Sequence, residues 1–399
     1  MGGVTTLPAA AWRDRPGLAR LAAALDAAGG HARYVGGAVR DTFLQLDVAD
    51  IDIATTHRPE EVVRRLAAAG IKAIPTGIAH GTVTAVSEGT VVEVTTLRRD
   101  VETDGRHAIV AFTDEWREDA ARRDFTMNAL YADPVTGEVF DYFDGLADLH
   151  AGRVRFIGDP YRRIAEDHLR ILRFFRFHAR FGAAIDAEGL AACIARANDL
   201  MALSRERIAA ELLKLLVARE AVAVVRLMHD NGLFRPVLPE VEAAGVARLA
   251  ALATREAAAG VAPDAIRRLA ALVAPGTAEA VGARLKLSNA DRKRLAQADA
   301  GAGGEGARAL AYRVGAMVAL DRLLLAGADP APILGWTPPA LPIGGGALVA
   351  RGIAKGPDVA RTLRRIEDRW IAEGFPDAAR VERIADEEAD QLLRSTRNA

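Results

Sequence analysis

Near Asp159-Pro160 the hydrophobic period of the sequence changes, and that change limits what the chain can build. Upstream of it, short β-branched runs bounded by turn residues alternate with helical segments. Arg33-Tyr-Val35, Ile51-Asp-Ile-Ala54, Thr82-Val-Thr-Ala-Val86 and Thr90-Val-Val-Glu-Val-Thr-Thr96 read as strands. Ser87-Glu-Gly89 joins the last two as a hairpin. Pro59 opens a helix that runs to about Ala69 and stops at Gly70. Downstream, the period is helical to the end, interrupted by Gly/Pro clusters at 301–306, 330–342 and 344–346. With domains of ~100–200 residues, the chain should hold two to four units. The expected architecture is an α/β head with a mixed sheet over 1–152, an all-α neck over 153–235, and an all-α body and tail over 236–399.

The charge balance then narrows the function. Charged residues are 26% of the chain and the net charge is −1, which excludes a disordered polyelectrolyte and a globally basic nucleic-acid binder. Any RNA surface must be a local patch. The single cysteine, Cys193, excludes an intrachain disulfide and a cysteine zinc cluster, and its apolar helical setting predicts a buried thiol. No run approaches the ~18 apolar residues of a membrane span; the segment Ala316 to Leu325, for example, is cut by Asp321 and Arg322. The N-terminus lacks the pattern of a signal peptide, and Pro16 to Ala28 reads instead as an amphipathic helix with Leu18, Leu21 and Leu25 on one face. A soluble cytoplasmic protein with no membrane partner is expected.

Two segments carry chemistry. In Tyr34-Val-Gly-Gly-Ala-Val-Arg-Asp41 a strand runs through a Gly-Gly turn into a helix starting near Ala38. Gly36 and Gly37 would let backbone N–H groups approach a triphosphate, with Arg40 as a forked donor; a plain turn is the alternative. Asp50 and Asp52 follow at i and i+2 of a strand, so both carboxylates share one face. They repel unless a hard cation such as Mg²⁺ sits between them, or unless they are simply solvated surface acids.

The second segment is Glu166-Asp-His-Leu-Arg-Ile-Leu-Arg-Phe-Phe-Arg-Phe177, on a helix opened by Asp159-Pro160. Asp167, Arg170, Arg173 and Arg176 step by three and form one stripe, while Leu169, Leu172 and Phe175 share an apolar face. Between Gly152 and Gly182 eight arginines face three acids, so this is the local basic patch. It could be a salt-bridge ladder. It could also read a base, because an Asp accepts from an exocyclic amine while an Arg one turn away donates to the adjacent ring nitrogen. Cytosine and adenine share that pattern; uracil and guanine present the reverse. Arg173 and Arg176 would then hold phosphates. Arg122-Arg-Asp124, opening a helix, adds Arg123 as a phosphate ligand and Asp124 as cap or arginine partner, or else an ion pair at a domain seam. Leu97 to His107 reads as a mobile polar loop.

Gly36-Gly-Ala-Val-Arg-Asp41, Asp50-x-Asp52, Arg122-Arg-Asp124 and Glu166-Asp-x-x-Arg170, in this order and spacing, resemble the bacterial-type (class II) tRNA nucleotidyltransferase and poly(A) polymerase family over about Tyr34 to Gly182. The resemblance implies a nucleotidyltransferase palm, with Asp50 and Asp52 as Mg²⁺ ligands and catalytic residues. It implies nucleotide contacts from Gly36, Gly37, Arg40, Arg123, Asp167, Arg170, Arg173 and Arg176, and a third palm carboxylate for which Glu93 is the candidate. The expected partners are tRNA, CTP and ATP. The expected reaction is template-independent CCA addition by two-metal nucleotidyl transfer releasing pyrophosphate. A poly(A) polymerase and a CC-adding enzyme are the alternatives within the family. The 97–107 loop, which a CC-adding enzyme lacks, favours full CCA addition. Some family members add a His-Asp phosphohydrolase domain; with His229 the last histidine, that activity is expected to be absent. Arg351, Lys355, Arg361, Arg364, Arg365 and Arg369 could touch an RNA backbone or belong to a solvated amphipathic helix. A small-molecule nucleotidyltransferase and a catalytically dead RNA binder are the readings outside the family.

Overall fold

The computed structural model describes residues 4–103 and 108–397. The chain divides into two compact units, Met1–Val241 and Glu242–Ala399.

The first unit opens with α1 (Leu18–Ala24), whose Leu18 and Leu21 are fully buried together with Leu25 just past its end. A seven-stranded mixed sheet follows, in the order β3-β4-β5-β2-β1-β8-β9. Strands β1 (Ala32–Val35) and β2 (Ile51–Thr55) flank α2 (Gly37–Phe43). Helix α3 (Pro59–Ala68) leads to β3 (Lys72–Gly77), β4 (Thr82–Ser87) and β5 (Thr90–Thr96). The four predicted strands form within a residue or two of their expected bounds. The β4–β5 turn places Glu88 and Gly89 both at positive φ, 49° and 86°, as a tight two-residue hairpin requires. Among the described strands of this sheet only β2 and β5 pair in parallel, at its middle, and their register sets Asp52 beside Glu93.

Strand β3 was not expected. It carries Pro75, is mostly exposed, and lies at the sheet edge where a missing N–H is tolerated. Segment 97–107 differs from the loop reading. Leu97 is fully buried, and β6 (Arg98–Thr103) pairs with β7 (Ala108–Phe112) in a separate two-stranded ribbon. The rest of the proposed loop, 104–107, lies outside the described residues. Helix α4 (Trp116–Ala121) ends at Arg122-Arg123-Asp124 rather than being opened by them. Strands β8 (Leu130–Ala132) and β9 (Val139–Asp141) complete the sheet, and α5 (Gly145–His150) closes the head.

Asp159 caps α6 (Pro160–Glu166), accepting from the Tyr161 amide at 2.8 Å. The helix then breaks. Asp167 is extended (φ −149°, ψ 106°) and its carboxylate accepts from the Leu169 amide at 3.1 Å, a local bond that competes with helix continuation. Helix α7 (Arg170–Phe181) starts afresh, so Asp167 sits at its mouth and not on its stripe. The aromatic face of α7 docks on the head through Phe125, whose ring lies 5.0 Å from Phe156 and 5.3 Å from Phe177. Three more helices complete the unit: α8 (Ala187–Ala195), holding the buried Cys193, α9 (Arg205–Leu216), capped by Ser204, and α10 (Ala221–Asp230).

The second unit is helical. It begins with α11 (Ala243–Ala258), α12 (Ala265–Leu272), α13 (Ala278–Arg284) and α14 (Asn289–Asp299). There follow α15 (Ala307–Val314), α16 (Ala316–Ala326), α17 (Gly345–Ala350), α18 (Pro357–Ala372) and α19 (Ala378–Arg397). Asp321, which interrupts the apolar run of α16, is fully buried and accepts from Arg294 at 2.7 and 3.0 Å and from Arg267 at 3.4 Å. Trp370 is buried among Ile366, Ile371, Val381 and Ile384, which clamps α18 to α19. Among the described residues no helix is long and apolar enough to cross a membrane.

Candidate active site

Most candidate residues converge in the first unit on a cleft of about 420 Å³, whose lining does not include Asp50, Glu93 or Arg176. From the head come Gly36, Gly37, Arg40, Asp52, Arg123, Asp124 and Asn128; from the helices come Asp167, Arg170, Arg173 and Arg207. Gly36 turns the chain from β1 into α2 at φ 69°, a conformation that disfavours any side chain. The first-turn N–H groups of α2 lack intrahelical acceptors and point at the cleft end of the helix. Arg40 is buried. It donates to Asp41 at 2.7 Å and to Asn128 at 2.5 Å, and lies 4.5 Å from the Phe181 ring centroid. Burial lowers its pKa first, and the nearby Asp41 carboxylate counters this.

Asp52 lies on β2 with Glu93 opposite it on β5, and exposed Asp50 immediately precedes the strand. Ile51 and Ile53 of β2 alternate with Asp52 into the core, as Val92 and Val94 do around Glu93, so the two acids share the outer face. The Asp52 carboxyl is pushed up to about 6, by burial first, then by Glu93, with Arg123 opposing and Asp50 adding. Such a site is short of positive charge, and its hard oxygen donors fit Mg²⁺. Among the described residues no group of three or more His, Cys, Asp or Glu side chains is arranged to hold a metal ion.

Arg123 donates to Tyr131 Oη at 3.1 Å and to Asp119 at 3.3 Å, and its Nη1 would lie 3.5 Å from a Cβ placed on Gly36. Asp119, nearly inaccessible, also takes Arg122 at 2.8 Å and the Tyr131 hydroxyl at 2.6 Å. Burial raises its carboxyl, but Arg123 and Arg122 outweigh that and bring it to about 2. Asp124 serves as an arginine partner rather than a cap, accepting from Arg173 at 2.8 and 2.5 Å and from Asn128 at 2.9 Å.

Asp167 and Arg170 do not touch each other's side chains in the manner of a ladder. Both Asp167 oxygens accept from Arg207 Nη2, at 3.1 and 3.0 Å. Arg170 donates to Glu166 at 2.6 Å, to the Arg163 carbonyl at 2.7 Å and to the Arg122 carbonyl at 3.1 Å. Three of a guanidinium's five N–H groups are thereby engaged and two remain. Arg173 and Arg176 are not free either: Arg176 pairs with Glu211 at 2.5 Å and lines a different cleft. Arg207, Asn128, Asp119 and Glu211 escape a linear reading. Only Asp119 left a signal, its i+3 and i+4 spacing to Arg122 and Arg123.

This strand–turn–helix cradle beside carboxylates on a mixed sheet defines a nucleotidyltransferase head. Residues 32–155 match the Poly A polymerase head domain, and residues 182–244 match the probable RNA and SrmB-binding site of polymerase A. The chain is 45% identical over 205 residues to the mitochondrial CCA tRNA nucleotidyltransferase 1 of Danio rerio, covering 50% of this chain and 47% of that protein. It is 40% identical over 233 residues to the CCA-adding enzyme of Limosilactobacillus fermentum, covering 58% and 56%. The aligned part thus spans about half the length of these curated relatives. The solved CCA-adding enzyme of Bacillus stearothermophilus, in complex with CTP, superposes with a TM-score of 0.75 at 27% identity over 96% of this chain and 100% of that one. The Thermotoga maritima CCA-adding enzyme complexed with tRNA shares the fold, with a TM-score of 0.70 at 18% identity over 94% of this chain and 95% of that one. Over these residues the chain resembles the tRNA nucleotidyltransferase and poly(A) polymerase family.

Proposed function

We propose that the protein adds CCA to tRNA 3′ ends from CTP and ATP without a template, releasing pyrophosphate. The observation that carries the reading is one cleft bringing the Gly36-Gly37 cradle, Asp52, and the Asp167 and Arg170 side chains together. Mg²⁺ held by Asp50 and Asp52, with Glu93 alongside, would activate the primer 3′-hydroxyl and neutralise the leaving pyrophosphate. The chain's own residues position the substrates. Gly36 and Gly37 admit the triphosphate to the α2 amides, with Arg40 and Arg123 at its oxygens. Asp167 accepts from the amine of cytosine or adenine through lone pairs that Arg207 leaves available, and the two unengaged N–H groups of Arg170 meet the ring nitrogen. Because one pair serves both bases, CTP and ATP share the pocket. Arg173 closes the cleft wall from α7. The head (1–152), neck (153–235), and body with tail (236–399) divide this work, the last part gripping RNA in a cytoplasmic protein.

The test is extension of tRNA ending at its discriminator base, with Mg²⁺ and with CTP and ATP together or singly, read by sequencing 3′ ends. Products ending in CCA, and in CC when ATP is withheld, are expected. A long A tail would make it a poly(A) polymerase, a stop at CC a CC-adding enzyme, and no extension would overturn the reading. Asp52→Ala should abolish incorporation while tRNA binding survives.

A further inference from the structure

Asn128 lines the nucleotide cleft and is buried, at the end of the short turn Thr126–Asn128 that leads into β8. Its side chain lies between a cation and an anion. Oδ1 accepts from Arg40 Nη1 at 2.5 Å, and Nδ2 donates to Asp124 Oδ1 at 2.9 Å. The orientation of the amide follows from these partners. A guanidinium offers only donors. Asp124 offers only acceptors, because burial pushes its carboxyl up but Arg173 outweighs this and holds it below the ordinary range. An uncharged side chain that accepts at one atom and donates at the next is a carboxamide.

This contact fixes Arg40. Its Nε and Nη2 both meet Asp41 Oδ1 at 2.7 Å, but Asp41 is the next residue of α2 and moves with it. Phe177 and Phe181 of α7 lie 5.3 and 4.5 Å from the guanidinium carbon and attract the cation as a whole. Asn128 is the hydrogen-bond acceptor from outside α2 that sets the direction of the fork. Arg40 Nη2 would lie 3.8 Å from a Cβ placed on Gly37, as Arg123 Nη1 would lie 3.5 Å from one placed on Gly36. Two guanidinium tips therefore border the Gly-Gly turn. The bonds to Asp41 and Asn128 engage three of the five Arg40 N–H groups, and two are left for phosphate oxygens. We propose that Asn128 is a positioning residue, which aims Arg40 at the triphosphate of the incoming nucleotide and braces it, through Asp124, on Arg173 of α7. The proposal rests on the nucleotide-adding reading above.

A double-mutant cycle tests it. Asn128→Leu keeps the shape of the side chain and removes both hydrogen bonds. Asn128→Ser, which leaves a hydroxyl toward Asp124, carries the same cycle should the first variant fail to fold. Calorimetry with Mg²⁺ would measure CTP and ATP affinity in the wild type, in each variant, in Arg40→Ala and in the double variants. Both affinities should weaken alike in Asn128→Leu, by about tenfold, the scale of one hydrogen bond to a charged group. Adding Asn128→Leu to Arg40→Ala should cost nothing further, because the residue acts through Arg40. Inhibition by pyrophosphate should weaken by the factor CTP binding does, and inhibition by cytidine, which has the base and no phosphate, should not change. An equal loss in the Arg40→Ala background would overturn the proposal. So would cytidine inhibition weakening together with CTP binding, the result of a merely structural role, or wild-type CTP affinity in both Asn128 variants. The wild type keeps the two readings apart. If it binds CTP and the cycle behaves as expected, yet tRNA is never extended, CCA addition fails and the positioning role stands. If it extends tRNA and the Asn128 variants bind CTP as it does, the positioning role alone fails.

Discussion

Helices α7 and α18 both carry an arginine every three or four residues, yet the carboxylates that answer them come from different places. On α7, Arg170 meets Glu166 from the preceding turn, Arg173 meets Asp124 of the head, Arg176 meets Glu211 of α9, and Arg180 meets Asp41 of α2. Those partners lie in four separate segments of the first unit, and three of them have side chains only 7–11% exposed. On α18, Arg361 pairs with Asp358 of its own first turn, while Arg365 and Arg369 pair with Glu388 and Glu387 of the next helix. Just before α18, Arg351 likewise pairs with Glu382 and Asp386 of α19. An arginine stripe therefore has no function of its own. Where its counter-charges come from decides whether it frames a site or zips a helical hairpin.

The comparison breaks first, and most visibly, at Arg173. Removing it leaves Asp124 buried, with only Asn128 and the Phe125 amide for partners. Breaking a buried pair from one side costs about 3–5 kcal/mol. Arg173→Ala should lower the urea midpoint accordingly and weaken CTP binding. A loss under about 1 kcal/mol would place the α7 pairs in the same class as those of α18.

Acid titration gives the next largest effect. Asp119, held at about 2 by Arg123 and Arg122 against an ordinary 3.8, has a depressed folded-state pKa. Its contribution is therefore complete above pH ~4 and is lost as pH falls toward 2, about 2 kcal/mol in all. Arg122→Ala should shrink the acid-side loss in a stability–pH profile. An unaltered profile would mean that another group supplies it.

Specificity should respond on a comparable scale. Arg207 contacts both Asp167 oxygens, so if Asp167 reads the base as proposed, Arg207→Ala should leave folding nearly intact and loosen base choice. Misplacing one bidentate-type reader costs about 1–3 kcal/mol of discrimination, roughly 5- to 150-fold in the ratio of CTP to UTP incorporation. Unchanged discrimination with a raised KM for all nucleotides would make Arg207 a general electrostatic contributor instead.

What a linear reading could find follows from these contacts. The Gly-Gly turn, Asp52 and the alternation in β5 are local patterns, so their placement was legible, whereas Asp50, expected on the same strand, lies just before β2 and outside the cleft lining. The break at Asp167 was not, because the helical period continues through it and only a side-chain bond to the Leu169 amide stops it. Asn128 and Arg207 were hidden for another reason. Their partners, Arg40 and Asp167, lie 88 and 40 residues away, and nothing near them in sequence predicts the meeting. Strands β8 and β9 are three residues each, too short to show a period.

The smallest effect is the sharpest test of the contrast. Arg364 on α18 is exposed and has no carboxylate partner among the described residues, so it is the arginine of that helix left free for phosphate. If α18 is a hairpin zipper, Arg364→Ala should change stability by less than about 0.5 kcal/mol, as exposed positions away from special features do. Its tRNA affinity should stay within about twofold of wild type, with the salt slope unmoved. Arg361→Ala, which loses only a surface pair, should cost at most about 0.5 kcal/mol. A salt slope shallower by ~0.7 in Arg364→Ala alone would show a phosphate at that side chain. The two helices would then differ in the number of arginines their neighbours neutralise, and both would face RNA.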